Sequence, residues 1–152
     1  MPDIVIADTS CFIALSRIDG LGLLQQVYGS VTTTSVVAAE FGRSLPDWVT
    51  IADPDDELRM RALSLQVDKG EASAIALALE TPQCIIIIDD RKGRLVAMAL
   101  GLSVTGTLGV IVKAKLQGHI GSIRPWLENL RSAGFRTSHD IERALLKEAG
   151  EQ

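Results

Sequence analysis

Continuous apolar runs and helically spaced apolar residues alternate along the chain. Residues 4–7 and 84–88 are short, uninterrupted apolar runs rich in Ile and Val, a pattern that predicts buried strands. Residues 48–51 and 102–104 predict two further short strands. Helical spacing covers residues 12–28 (one kinked helix or two short ones), 36–41, 71–80, 91–100, 108–117, 122–130 and about 140–149.

Several helix starts carry their own local signals. Thr33, Thr34 and Ser35 are candidate N-caps for the helix over residues 36–41. The segment 53–57 (DPDDE) predicts another helix start, with a cap, a proline in the first turn and acids favoured by the helix dipole. Lys69-Gly70 predicts a break, after which Glu71 opens an alanine-rich helix.

Strands alternating with helices predict an α/β fold with three layers, α/β/α, around a mainly parallel sheet. At 152 residues we expect one domain, 1–152, with residues 122–152 as a C-terminal helical extension. Hydrophobic residues make up 47% of the chain and aromatic residues only 4%, so the core must be aliphatic. That composition is typical of a helix-covered parallel sheet.

The predicted location is the cytoplasm. Residues 1–3 contain no basic segment, and Asp8 interrupts the first apolar run, so no secretory signal is predicted. The uncharged stretch 95–112 approaches the length of a membrane span, but its glycines and hydroxyl residues divide it into helix, strand and helix. Cys11 and Cys84 lie in apolar runs and are expected to be reduced core thiols.

A net charge of −4 argues against nucleic-acid binding through a broad basic face. If the protein acts on RNA or DNA, something else must neutralise phosphate close to the chemistry. Bound divalent cations would do so.

Acidic residues follow both predicted buried strands. Asp8 ends the first, and Asp89 and Asp90 end the later one. Ligands bind beyond the carboxyl ends of parallel strands, near the point where strand order reverses, so these acids are expected to converge. The alternative for Asp8 and Asp90 is a helix N-cap.

Two glutamates are further candidates. Glu40 stands among apolar residues on a short helix, and its alternative is an exposed helix face. Glu71 lies in a first turn, where the helix dipole alone would explain an acid, and Asp68 is the candidate cap of that helix.

Clustered carboxylates suit phosphodiester hydrolysis assisted by Mg²⁺ or Mn²⁺, because both ions prefer carboxylate and water oxygens. Without a cation, crowded acids raise each other's pKa values and reduce stability. The sequence holds no competing nucleophile motif, and His119 and His139 lie far along the chain from the acids.

Four motifs in order resemble PIN domains. They are the first strand with its acid (IVIADTS, 4–10), VVAAE (36–40), GEASAIALA (70–78) and IIDDRKGR (87–94). The paired acids, the GTLGV turn (106–110) and LRSAGF (130–135) resemble a subgroup related to VapC-type toxins. One departure is Glu71, because many PIN nucleases carry Asp at that third position.

The resemblance implies a Mg²⁺- or Mn²⁺-dependent endoribonuclease, the toxin of a toxin–antitoxin pair. Asp8, Glu40, Glu71 and Asp90 would be catalytic metal ligands, and Ser10 would be a positioning hydroxyl. The register to the following helix favours Asp90 as the fourth acid, with Asp89 as a helper that binds the metal or supports another ligand. Basic side chains that could contact RNA are Arg91, Lys92, Arg94, Lys113 and Lys115. The implied partners are RNA, an antitoxin that delivers an Arg or Lys into the acidic cluster, and a second copy in a homodimer.

Two other functions compete. A catalytically weak binding module acting through a partner would explain the acidic charge and Glu71. A phosphatase of the haloacid-dehalogenase type also begins with a strand ending in Asp, but needs a second Asp where this chain has Ser10.

Overall fold

A computed structural model describes residues 4–152 and shows a five-stranded, all-parallel sheet in the order β3-β2-β1-β4-β5. The strands are Ile4–Ala7 (β1), Val31–Thr33 (β2), Val49–Ile51 (β3), Cys84–Ile87 (β4) and Ser103–Thr105 (β5). The helices of the described residues are Thr9–Arg17 (α1), Gly22–Tyr28 (α2), Ser35–Phe41 (α3), Glu57–Leu63 (α4), Lys69–Leu79 (α5), Arg91–Ala99 (α6), Thr107–Leu116 (α7), Arg124–Ser132 (α8) and His139–Glu148 (α9). Residues 1–3, on which the expectation of no secretory signal partly rests, lie outside the described residues.

The side chains of the central strands alternate between two cores, as the period of two in a strand requires. Val5, Ala7 and Ile87 pack on one face with α1, α2, α7 and α8. Ile6 and Ile86 pack on the other face with α4, α5 and α6. Helices therefore cover both faces of the sheet, and the predicted three-layer α/β/α fold is confirmed.

The strand order reverses beside β1. Along the chain, β2 and β3 are added on one side of β1, and β4 and β5 then on the other. Ala7 pairs with Ile87, and the backbone N–H of Asp8 donates to the carbonyl of Ile87 at 3.0 Å. Asp8, after β1, and Asp89 and Asp90, shortly after β4, therefore lie at the same edge of the sheet. Parallel α/β sheets bind their ligands at this edge.

Local predictions differ from the structure in three places. Strand β2 was not predicted, because Val31–Thr33 is only three residues long and two of them are polar. Helix α5 begins at Lys69, so Lys69-Gly70 is its first turn rather than a break. Helix α4 begins at Glu57 with Asp56 as its N-cap, which leaves Pro54 outside the first turn.

Other local predictions are confirmed. Residues 12–28 form two helices, and the Thr34 hydroxyl caps α3 by accepting from the Val37 N–H. The uncharged stretch 95–112 divides into the end of α6, β5 and the start of α7. Among residues 4–152, no helix combines the length and apolarity needed to cross a bilayer. Both cysteines are free thiols; Cys11 lies in the core as predicted, whereas Cys84 is only partly buried.

Candidate functional site

Asp8 lies at the end of β1 and is almost wholly buried, with 4% of its surface exposed. Its Oδ1 atom has no hydrogen-bond partner in the structure. Burial, followed by the negative charges of Asp68 and Glu40, raises the pKa of Asp8 to about 7, against the opposing effect of the Thr9 amide. An ionised Asp8 therefore lacks a compensating positive charge.

Glu71 occupies the third position of α5, where a capping box holds it. The Asp68 carboxylate accepts from the Glu71 N–H at 2.8 Å, and Glu71 Oε1 accepts a longer bond from the Asp68 N–H at 3.4 Å. Glu71 is 4% exposed, and its Oε2 has no partner. Burial, with Asp68 as the next cause, raises the pKa of Glu71 well above its usual range.

Glu40 and Asp90 are exposed at the rim of the same site. Glu40 Oε1 accepts a hydrogen bond from the Thr9 hydroxyl at 2.8 Å, which ties α3 to the start of α1. Asp90 Oδ2 accepts from the Gly93 N–H at 3.0 Å and so caps α6. The N-cap alternative is thus confirmed for Asp90, whose capping carboxylate also lines the pocket.

Two helical glycines, Gly70 in α5 and Gly93 in α6, leave room for the carboxylates of Glu40 and Glu71. A Cβ on Gly70 would overlap Glu40 Oε1, and a Cβ on Gly93 would overlap Glu71 Oε2 and lie 2.6 Å from the Ile88 side chain. Any larger residue at either position must therefore displace a carboxylate of the site or a core side chain.

The acidic side chains converge on one pocket of about 460 Å³, which we call the acidic pocket. Its lining residues are Asp8, Thr9, Ser10, Ile13, Glu40, Asp68, Glu71 and Asp90. The structure thus brings together the four acids predicted to be catalytic and adds Asp68. Sequence reasoning identified Asp68 only as a helix cap. That role is confirmed, and no sequence signal pointed to its second role as a wall of the pocket.

Asp89 does not line the acidic pocket. Its carboxylate turns towards the start of α7, where it accepts from the Thr107 N–H at 2.7 Å and from the Thr107 hydroxyl at 2.6 Å. Ser10 does line the acidic pocket, and its buried hydroxyl has no partner, so its positioning role stays a prediction.

None of the five predicted RNA-contacting cations lines the acidic pocket. Lys115 forms an ion pair with Glu151 at 3.1 Å, and the Lys113 ammonium lies 5.0 Å from the centre of the Tyr28 ring. Arg94 donates to the Ile88 carbonyl at 3.0 Å. Arg91 and Lys92 are exposed in the first turn of α6, directly after Asp90.

The donor set fits a hard divalent cation. The pocket presents five carboxylates and no Lys or Arg from residues 4–152, and its buried oxygens Asp8 Oδ1 and Glu71 Oε2 have no partner. Carboxylate oxygens are the preferred ligands of Mg²⁺ and Mn²⁺. In the described part of the chain, no three His, Cys, Asp or Glu side chains already stand in position to chelate one ion. A cation would compete with Thr9 for Glu40 and with Gly93 for Asp90.

Comparison with known proteins identifies the family. Residues 4–151 match the family model DUF3368, which is described as a PIN domain. A comparison with the curated proteins finds no significant match. PIN domains are generally nucleases and typically use divalent metals. Because the match covers nearly the whole chain, this protein belongs to the PIN-domain family.

Proposed function

We propose that this PIN domain is an endoribonuclease that hydrolyses RNA phosphodiester bonds with the help of Mg²⁺ or Mn²⁺. The observation that carries the proposal is the acidic pocket, where two buried carboxylate oxygens have no partner. Burying unpaired carboxylates costs stability, and a protein retains such groups where they serve a ligand.

Asp8, Glu40, Glu71 and Asp90 would hold the cation. When bound, Mg²⁺ or Mn²⁺ activates water for attack on phosphorus and neutralises charge on the leaving oxygen. The protein orients the acids beforehand: the capping box holds Glu71, and the Thr9 hydroxyl holds Glu40. Ser10 lines the same pocket, and its hydroxyl, which has no partner, would donate a hydrogen bond to a bound water or phosphate oxygen.

The test is cleavage of a short fluorescent RNA by the purified protein, with Mg²⁺ or Mn²⁺ and with EDTA. We expect Asp8→Asn and Asp90→Asn each to reduce cleavage more than about 100-fold, since losing even an outer partner of a metal ligand costs 10–100-fold. Circular dichroism should show an unchanged fold.

Asp89→Asn is the matched control, because it changes the neighbouring acid, which faces Thr107 instead of the pocket. We expect this variant to retain cleavage. Undiminished cleavage by both Asp8→Asn and Asp90→Asn would overturn the proposed site.

The second candidate function is a binding module of weak catalytic power. It is favoured by the hydrogen bonds of Glu40 with Thr9 and of Asp90 with Gly93, because a metal ion would have to compete with them. Calorimetric titration with Mn²⁺ separates the two. Metal binding by the wild type that is lost in Asp90→Asn supports the nuclease, whereas absence of binding supports the module.

The toxin role is part of the proposal and rests on the resemblance to VapC-type proteins. An antitoxin that inserts an Arg or Lys side chain would complement a pocket lined by acids. Induced expression of the wild type should arrest bacterial growth, and expression of Asp90→Asn should not. Normal growth with abundant wild-type protein would contradict the toxin role. The homodimer stays a prediction.

A further inference from the structure

Three pockets adjoin along one side of the molecule. Ser10 and Ile13 line both the acidic pocket and a second pocket of about 260 Å³. Phe135 and Arg136 line both that second pocket and a third of about 430 Å³. The second and third pockets therefore form a surface path that begins at the acidic pocket. We call this path the arginine groove.

One wall of the arginine groove is a face of α1. Ser10, Ile13, Ala14 and Arg17 occupy positions i, i+3, i+4 and i+7, which places them on one side of a helix. Ser10 stands at the acidic pocket and Arg17 at the far end of the helix. The opposite wall is the connection between α8 and α9, which includes Phe135 and Arg136.

The arginine groove is positively charged although the chain is acidic overall. Arg17, Arg94 and Arg136 line it, and none of them takes part in the ion pairs found among residues 4–152. Asp89 is the only carboxylate that lines it within those residues, and both its oxygens accept from Thr107. The arginine groove is therefore a locally basic surface on a chain whose net charge is −4.

Phe135 adds an aromatic surface between the two pockets. Its ring is half-buried and lines both of them. Arginines that contact phosphates, combined with an aromatic side chain on which bases stack, are the usual means of holding a single strand without reading its sequence.

We infer that the arginine groove binds a single-stranded polynucleotide, with Arg17 and Arg136 on its phosphates and a base stacked on Phe135, and leads that strand to the acidic pocket. This inference deepens the proposed nuclease function and rests on it for the direction of the strand. A duplex would not be bound in this way, because its bases are paired and stacked on one another and none is free to stack on Phe135.

Binding is measured separately from cleavage, by fluorescence anisotropy of a labelled ten-nucleotide strand in EDTA. We expect Arg17→Gln and Arg136→Gln each to raise the Kd roughly fivefold and to reduce the slope of log Kd against log salt by about 0.7, the value for one phosphate contact on a single strand. Phe135→Leu keeps an apolar side chain for packing; it should raise the Kd roughly fivefold with an unchanged slope, because stacking carries no charge.

Arg124→Gln is the matched control, since Arg124 is exposed and lies outside the three pockets. It should leave the Kd and the salt slope unchanged. Equal affinities of Arg17→Gln, Arg136→Gln and Arg124→Gln would overturn the inference. So would equal or tighter binding of a duplex of the same length, or no binding of any strand, which would favour a peptide as the occupant. RNA and DNA strands of one sequence show which sugar is preferred.

The two proposals fail in different ways. Arginine-dependent binding without any metal-dependent cleavage would refute the nuclease and retain the groove. Metal-dependent cleavage that requires Asp90 but has the same kcat/KM in Arg17→Gln and Arg136→Gln would retain the nuclease and refute the groove.

Discussion

Two carboxylate sites in this protein are built in opposite ways. Glu151, near the C-terminus, accepts from the Ser122 hydroxyl at 2.6 Å, the Ile123 N–H at 2.8 Å and the Lys115 ammonium at 3.1 Å. These bonds, that of Ser122 foremost, hold the pKa of Glu151 well below its usual range. In the acidic pocket, burial raises the pKa values of Asp8 and Glu71 instead.

The difference separates a carboxylate that the fold pairs fully from carboxylates that it leaves partly unpaired. Glu151 joins the end of the chain to α7 and to the segment before α8, and every bond it makes comes from the protein. Asp8 and Glu71 each keep a buried oxygen without a partner. The unpaired carboxylates of the acidic pocket thus lower the stability of the fold, whereas the bonds of Glu151 raise it. A loss of stability of this kind is expected at a binding site.

The largest expected effect is on stability at Asp8. The folded-state pKa of about 7 exceeds the ordinary 3.8, so the favourable contribution of the protonated group is complete below pH 3.8 and is lost as the pH rises through 7. At pH 8 without divalent ions, Asp8→Asn should therefore raise the free energy of unfolding by about 2–4 kcal/mol, and the gain should shrink towards pH 4.

Urea denaturation in EDTA measures this effect, with the exposed loop variant Asp47→Asn as the control. Added Mn²⁺ should then stabilise the wild type more than Asp8→Asn. A variant less stable than the wild type at pH 8 would mean that Asp8 serves the fold, like Glu151.

A smaller effect, on activity, is expected at Gly70. The Cβ of Gly70→Ala would overlap the carboxylate of Glu40, which is the far end of a flexible, exposed side chain. The Glu40 side chain can rotate away from the new methyl group at little energetic cost, so the free energy of unfolding should change by less than about 1 kcal/mol. Cleavage should fall about tenfold or more, because the displaced carboxylate leaves the pocket.

Gly93→Ala is the contrasting variant, since its Cβ would press on the buried Ile88 side chain as well as on Glu71. It should lose both cleavage and thermal stability. Full cleavage by Gly70→Ala would show that the observed position of Glu40 is not required.

The acids that follow the two buried strands were predictable, because the sequence pattern that identifies them spans only a few adjacent residues. Asp8 follows one uninterrupted apolar run and the pair Asp89-Asp90 follows another, and parallel strands bring such ends together. The register to the following helix favoured Asp90 over Asp89, and Asp90 is the one that lines the acidic pocket. The contact of Asp89 with Thr107, which lies 18 positions later, has no local signal in the sequence.

The arginine groove could not have been predicted in this way. Arg17 and Arg136 are separated by more than a hundred positions, and only the packing of α8 against α1 brings their segments together. Isolated arginines carry no local pattern, whereas strand ends and helix caps do. Likewise, the capping pattern found Asp68 but could not show that the cap also forms a wall of the pocket.

The smallest expected effect is at Glu151, and its sign is opposite to that at Asp8. Glu151→Gln removes the charge that binds Lys115 and weakens the bonds from Ser122 and Ile123, so the variant should melt at a lower temperature while cleaving RNA normally. Because the folded-state pKa of Glu151 is lowered, this stabilisation is complete above pH 4.5 and is lost as the pH falls through about 2. The difference in melting temperature between the variant and the wild type should therefore narrow in acid.

A double-mutant cycle of Glu151→Gln with Ser122→Ala, followed by thermal melting, isolates the strongest contact. Additive losses would show that Ser122 does not stabilise the Glu151 carboxylate, and a loss of cleavage would tie this end of the chain to the acidic pocket after all.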